Sequence, residues 1–82
     1  MKFQIKLLKP ARKFIEKQPK SQQERILKAI AKLPDNGDTK PLSGYTGVYR
    51  LRVGNYRIIY SVDQEILLIK IENAGVRGDI YK

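Results

Sequence analysis

Eighty-two residues carry 17 Lys plus Arg against 8 Asp plus Glu, a formal net charge of +9, with no cysteine and no histidine. A chain this short holds one small domain, residues 1–82, and its positive excess favours nucleic acid or an acidic protein as partner. The missing residue types exclude disulfides, zinc sites of the usual kind, an imidazole proton shuttle and the Ser-His-Asp and Cys-His arrangements. No apolar run approaches the roughly 20 residues of a membrane span, MKFQIKLLKP lacks the apolar core of a signal peptide, and no GxGxxG or P-loop spacing occurs. The expectation is a cytoplasmic protein that engages no membrane and uses no cofactor.

Phe3, Ile5 and Leu7 alternate with Gln4 and Lys6, which predicts a first strand. Pro10 suits the first turn of a short helix, where its missing N–H costs nothing. Ala11, Phe14 and Ile15 would form the apolar face of that helix, and Pro19 would end it. Ser21-Gln22-Gln23-Glu24 has the spacing of a capping box, with Ser21 as N-cap and Glu24 reaching back. The second helix is expected to bury Ile26, Leu27, Ile30, Ala31 and Leu33 at helical spacing and to stop at Pro34 to Gly37. The lysines of these first elements, Lys2, Lys6, Lys13, Lys17, Lys20, Lys28 and Lys32, read as solvated outward faces.

A loop is expected from Asp35 to about Gly47, then a hairpin from Tyr49 to Tyr60, YRLRVGNYRIIY. Gly54-Asn55 between two β-rich runs signals a two-residue primed turn, because both residues tolerate positive φ. That turn sets Val53 against Tyr56, Arg52 against Arg57, Leu51 against Ile58 and Arg50 against Ile59. Side chains alternate across a strand. Tyr49, Leu51, Val53, Tyr56, Ile58 and Tyr60 therefore share a core face, and Arg50, Arg52 and Arg57 share the other, wet face. Like charges directly opposite each other destabilise a strand pair, so the Arg52/Arg57 pair points to a bound polyanion as its compensation.

Asp63-Gln64 begins another turn, and Ile66 to Ile71 reads as a strand buried on both faces. Glu72-Asn73-Ala74-Gly75 and Val76-Arg77-Gly78-Asp79-Ile80-Tyr81-Lys82 close the chain, with room for a short last strand. The order β-α-α-β-β-β, with both helices on one face of a mostly antiparallel twisted sheet, is an α+β fold.

Leu42-Ser43-Gly44, the arginine hairpin and the closing V-R-G-D-I-Y together resemble the RelE branch of the RelE/ParE toxin superfamily, over essentially the whole chain. The resemblance implies a toxin of a type II toxin–antitoxin pair. It further implies a metal-independent endoribonuclease that cuts messenger RNA in the A site of a translating ribosome. An acidic, RelB-like antitoxin would silence it in a hetero-oligomeric complex. The family's basic catalytic positions fall on Arg50, Arg52, Arg57 and Arg77, and its terminal tyrosine on Tyr81. Some relatives place lysines at the positions of Arg50 and Arg52, and others use a Glu and a His as base and acid. This chain has no His, and no acidic residue between Asp38 and Asp63. Two other readings remain open on the residues: a ParE-like toxin that inhibits DNA gyrase without catalysis, and a basic RNA-binding module.

Overall fold

A computed structural model describes residues 3–33 and 38–76. The elements are β1 (Gln4–Leu7), α1 (Lys9–Glu16), α2 (Lys20–Ala31), β2 (Thr39–Pro41), β3 (Val48–Val53), β4 (Tyr56–Asp63) and β5 (Leu68–Val76). Among the described residues one sheet forms in the order β1-β5-β4-β3-β2. β1 runs parallel to β5, and every other pairing is antiparallel. The fold is α+β, and the sheet is mixed. No helix among the described residues is long and apolar enough to cross a membrane.

Pro10 sits in the first turn of α1, and Ala11 and Ile15, one turn apart, are buried. Phe14 meets Tyr56 edge-on, with ring centroids 5.9 Å apart, which ties α1 to the hairpin. The expected capping box does not form. Pro19 is the N-cap of α2, Ser21 lies inside the helix, and no side chain caps the end. The Pro19 carbonyl accepts from the Gln22 and Gln23 amides, so the first turn closes before Ser21 is reached. Gln23 Nε2 instead donates to the Gln18 carbonyl at 2.8 Å, bracing the bend between the helices.

α2 buries Ile26 and Ile30, and Leu33 just beyond it is buried too, whereas Leu27 is 41 % exposed and Ala31 is also exposed. The expected five-residue face narrows to an i, i+4, i+7 stripe. α1 lies against β5, while α2 makes a lighter contact with β3, and Leu27, next to Ile26, falls outside the covered stripe.

Between the helices and the sheet, Ile26, Leu51, Ile58, Ile69 and Ile71 are wholly buried, with Ala11, Ile15, Ile30, Val53, Tyr60 and Ala74 around them. Three features depart from the expected strands. First, β2 forms inside the expected loop, pairing Thr39 with Leu51, Lys40 with Arg50 and Pro41 with Tyr49. It is short and ends in proline, which suits an edge strand that need not donate on its outer side. Second, the apolar run begins in a turn rather than a strand. The Asp63 carboxylate accepts from the Glu65 and Ile66 amides, Ile66 is 65 % exposed, and Leu67 takes a φ of 53°. Third, β5 continues through Glu72-Asn73-Ala74-Gly75, which sequence patterning left outside the strands. Ile59 pairs with Asn73 but Tyr60 with Ile71, so Glu72 is the extra residue of a β-bulge. The bulge lets Ile71 and Ala74, an odd number of residues apart, both face the core.

Ile58→Ala, which leaves a cavity at the centre of this core, should destabilise by about 2–5 kcal/mol. Leu27→Ala should stay within about 1 kcal/mol of the parent, because its side chain already meets water. Denaturant melts of the two variants check this contrast.

Candidate functional site

The β3–β4 hairpin has the register that its turn residues predict. Val53 pairs with Tyr56, Arg52 with Arg57, Leu51 with Ile58 and Arg50 with Ile59. Gly54 has a φ of 58°, and Asn55 is not in the positive-φ region, the pattern of a type II′ turn. The positive φ favours glycine there, and the mobile tip of Arg25 lies over it, 3.0 Å from where a Cβ would be. Leu51, Val53, Ile58 and Tyr60 are buried toward the helices, with Tyr49 and Tyr56 packed beside them. The alternation then places Arg50, Arg52 and Arg57 together on the opposite sheet face.

That face is less uniformly wet than expected. The Arg52 side chain is 52 % exposed, but that of Arg50 is only 11 % exposed. Ile59, across from Arg50, is 9 % exposed. Arg57 is half-buried, and its neighbour across on β5 is Gly75, which presents no side chain. Lys40, through its pairing with Arg50, brings a fourth cation to the face.

The repulsion among these cations has an internal answer. Asp38 accepts from Arg52 Nε at 2.7 Å through Oδ2, and its Oδ1 lies 3.6 Å from Arg50 Nη2. The Asp38 carbonyl also accepts from the Arg52 amide at 2.9 Å. One carboxylate thus bridges two of the arginines, where sequence patterning looked only to an external polyanion. Nothing in the local pattern marks Asp38, because it lies in an apparent loop. The signal that marks it is the short β2, whose pairing carries the residue before it alongside Arg52.

Arg50 Nε is buried and makes no hydrogen bond with a described residue. Further along the same face, Ser61 donates to the bulge residue Glu72 at 2.7 Å. No group of three or more acidic, His or Cys residues gathers among the described residues. Arg77 and Tyr81 lie outside the described residues; β5 ends at Val76, beside Tyr56. On the helix side, Tyr49 and Tyr60 stack at 5.5 Å. Burial pushes the Tyr60 phenol above 10.0, partly offset by a hydrogen bond with Thr39. Tyr60 therefore keeps its proton at neutral pH and braces β2 against the hairpin. A cleft of about 460 Å³ at the hairpin tip is lined by Gln18, Gln22, Arg25, Gly54, Asn55, Tyr56 and Val76, and it contains none of the three hairpin arginines.

Residues 5–75 match the family model described as the ParE toxin of type II toxin–antitoxin system, parDE. In the crystal structure of the archaeal RelE–RelB complex from Pyrococcus horikoshii OT3, the matching chain is 31 % identical. The match covers 96 % of this chain and 99 % of that one, with a TM-score of 0.79. The chain belongs to the RelE/ParE toxin superfamily. Its structure resembles the RelE-like branch in particular. The RelB–RelE antitoxin–toxin complex from Methanococcus jannaschii supplies a match at 28 % identity and a TM-score of 0.71, covering 93 % of this chain and 94 % of that one. The isolated E. coli RelE toxin shares the fold at 21 % identity, with a TM-score of 0.76 over 96 % of this chain and 90 % of that one. No curated protein matches the sequence.

Two substitutions separate the energetics of the arginines in this RelE-like hairpin. Arg50→Met replaces a largely buried guanidinium with an apolar chain of similar length, and should leave stability unchanged or raise it. Arg52→Ala removes a half-exposed ion pair and should cost no more than about 1 kcal/mol. Thermal melts at low and high salt test both, and a large loss in Arg50→Met would show that the buried cation holds the sheet together.

Proposed function

We propose that this chain is the toxin of a type II toxin–antitoxin pair and acts in the cytoplasm as a metal-independent endoribonuclease on messenger RNA at the ribosomal A site. The observation that carries the reading is the register of the hairpin, which gathers Arg50, Arg52 and Arg57 on one face of a RelE-like sheet.

RNA brings its own nucleophile. The 2′-OH attacks the adjacent phosphorus as its proton leaves, the bond to the 5′-oxygen breaks, and that oxygen gains a proton. The products are a 2′,3′-cyclic phosphate and a 5′-hydroxyl. The protein must hold the phosphate in line and stabilise the extra charge of the phosphorane. Guanidinium groups suit both tasks, since their planar fork binds two phosphate oxygens at once. Aimed at developing charge, such donors contribute a few kcal/mol each.

Arg57 and Arg77 take the scissile phosphate in this reading. Arg52, half-exposed, takes a flanking phosphate and lowers the pKa of the attacking hydroxyl. Arg50, nearly covered, adds positive potential from beneath. Tyr81 stacks on or orients a splayed base. The hairpin carries no carboxylate and no imidazole, so the proton-transfer groups are sought outside it, at Tyr81, in water or on the ribosome.

An acidic RelB-like antitoxin is the proposed protein partner in a hetero-oligomer. The net charge of +9 supports it, as do neighbours solved as RelE–RelB complexes. A second reading is a non-enzymatic, ParE-like toxin directed at DNA gyrase. The ParE description of the matching family favours it.

Arg57→Ala and Arg77→Ala should each slow cleavage on translating ribosomes by about 10²-fold or more, with EDTA-insensitive activity where ribosomes stay assembled. Messages carrying 2′-O-methyl at the cleavage position should bind and stay intact; their cleavage would refute the attack by the 2′-OH. Gyrase inhibition without any RNA cleavage would establish the second reading instead.

Association with the antitoxin should slow steeply as ionic strength rises past the point where the Debye length falls to about 10 Å. Stopped-flow on-rates measured across a salt series check this, and a flat series would contradict an electrostatically steered partner.

A further inference from the structure

Asp38 is the one acidic side chain placed against the hairpin arginines among the described residues, and it is held there twice. Its main-chain carbonyl accepts from the Arg52 amide, and its carboxylate accepts from Arg52 Nε. The main-chain bond keeps the carboxylate within reach of Arg52 Nε. The bond at Nε uses one side of the guanidinium and spares the terminal Nη pair, which is the edge that grips two phosphate oxygens. The second carboxylate oxygen lies toward Arg50 Nη2, so the same group sets the spacing of both cations.

We propose that Asp38 is a positioning residue for RNA cleavage: it holds Arg52 by Nε, fixes its spacing from Arg50, and presents the Nη pair of Arg52 to the phosphate flanking the cleaved bond. The proposal rests on the ribonuclease reading. It assigns Asp38 no proton transfer and no contact with RNA. Its effect is to align a cation that would otherwise swing away from Arg57, and misplacement of such a group by an ångström costs about 10²-fold in rate. Asp38 also subtracts one negative charge's worth of attraction for RNA, so alignment and affinity pull in opposite directions. That opposition is the signature of the role.

The experiment compares the parent with Asp38→Ala and Asp38→Asn in three measurements. These are single-turnover cleavage at saturating translating ribosomes, affinity for a 2′-O-methyl single-stranded RNA, and the ¹⁵N NMR signal of the Arg52 Nε–H. Asp38→Ala should cut the rate by about 10²-fold, bind the uncleavable RNA as tightly as the parent or tighter, and lose the exchange protection of Arg52 Nε–H. Asp38→Asn, which keeps an oxygen acceptor, should retain most of the rate. An unchanged rate in Asp38→Ala overturns the proposal. So does a faster one, which would make the carboxylate a competitor of phosphate, and so does a matched fall in rate and RNA affinity, which would mean a binding role. If the parent itself cleaves no RNA, the ribonuclease reading falls; the Arg52 signal and the RNA affinities then decide whether Asp38 orders the cation pair, and an unchanged Arg52 signal in Asp38→Ala rejects it.

Discussion

The two-residue turn at Gly54-Asn55 is the constraint on which the rest of the molecule depends, because it fixes which side of the hairpin every residue faces. A slip of one position would turn Leu51, Val53, Ile58 and Tyr60 out of the core and drive the arginines into it. An unpaired guanidinium in such a core costs several kcal/mol, so the wrong register is strongly disfavoured from both sides. Gly54 supplies the positive φ that the turn requires, and the Arg25 guanidinium of α2 lies over it. The helix layer and the turn therefore support the same register. α1 joins through Phe14 against Tyr56, and β5 joins along the whole of β4.

What was readable in advance follows the range of the interactions. The hairpin was legible because its turn chemistry and its alternation are both local, and each implies the other. Pro10, Ala11 and Ile15 were legible for the same reason. The failures involve a competing partner, near or distant in sequence, or a backbone state that side-chain patterning does not encode. Ser21 looks like an N-cap until Pro19 closes the turn first. Leu27 looks like core until only the Ile26, Ile30 and Leu33 stripe proves to be covered. Ile66 and Leu67 look like strand residues until Asp63 folds the backbone beneath them. The bulge at Glu72 carries no compositional mark, yet it decides that Ile71 and Ala74 point the same way.

The candidate site divides along the same line. Arg50, Arg52 and Arg57 share a face as alternation requires, but their burial differs, and alternation is silent on that. Asp38 escaped notice because it meets them only through β2, a three-residue edge strand with a proline in it. Its presence changes the electrostatic picture. The face is a cluster of cations ordered around one carboxylate, rather than a bare positive patch held for an external anion. In the ribonuclease reading, such an arrangement gives up some attraction for RNA and gains definition in where the guanidinium groups lie, and stabilising a transition state rewards the second more than the first.

The central claim is that this ordered cluster cleaves RNA by using the 2′-OH. Sequencing of RNA 5′ ends after inducing the protein without its antitoxin tests it most directly. The account requires new 5′-hydroxyl ends, in register with ribosome A sites along translated messages, and their disappearance with Arg57→Ala. Growth arrest with messages intact, or ends carrying a 5′-phosphate, would contradict it.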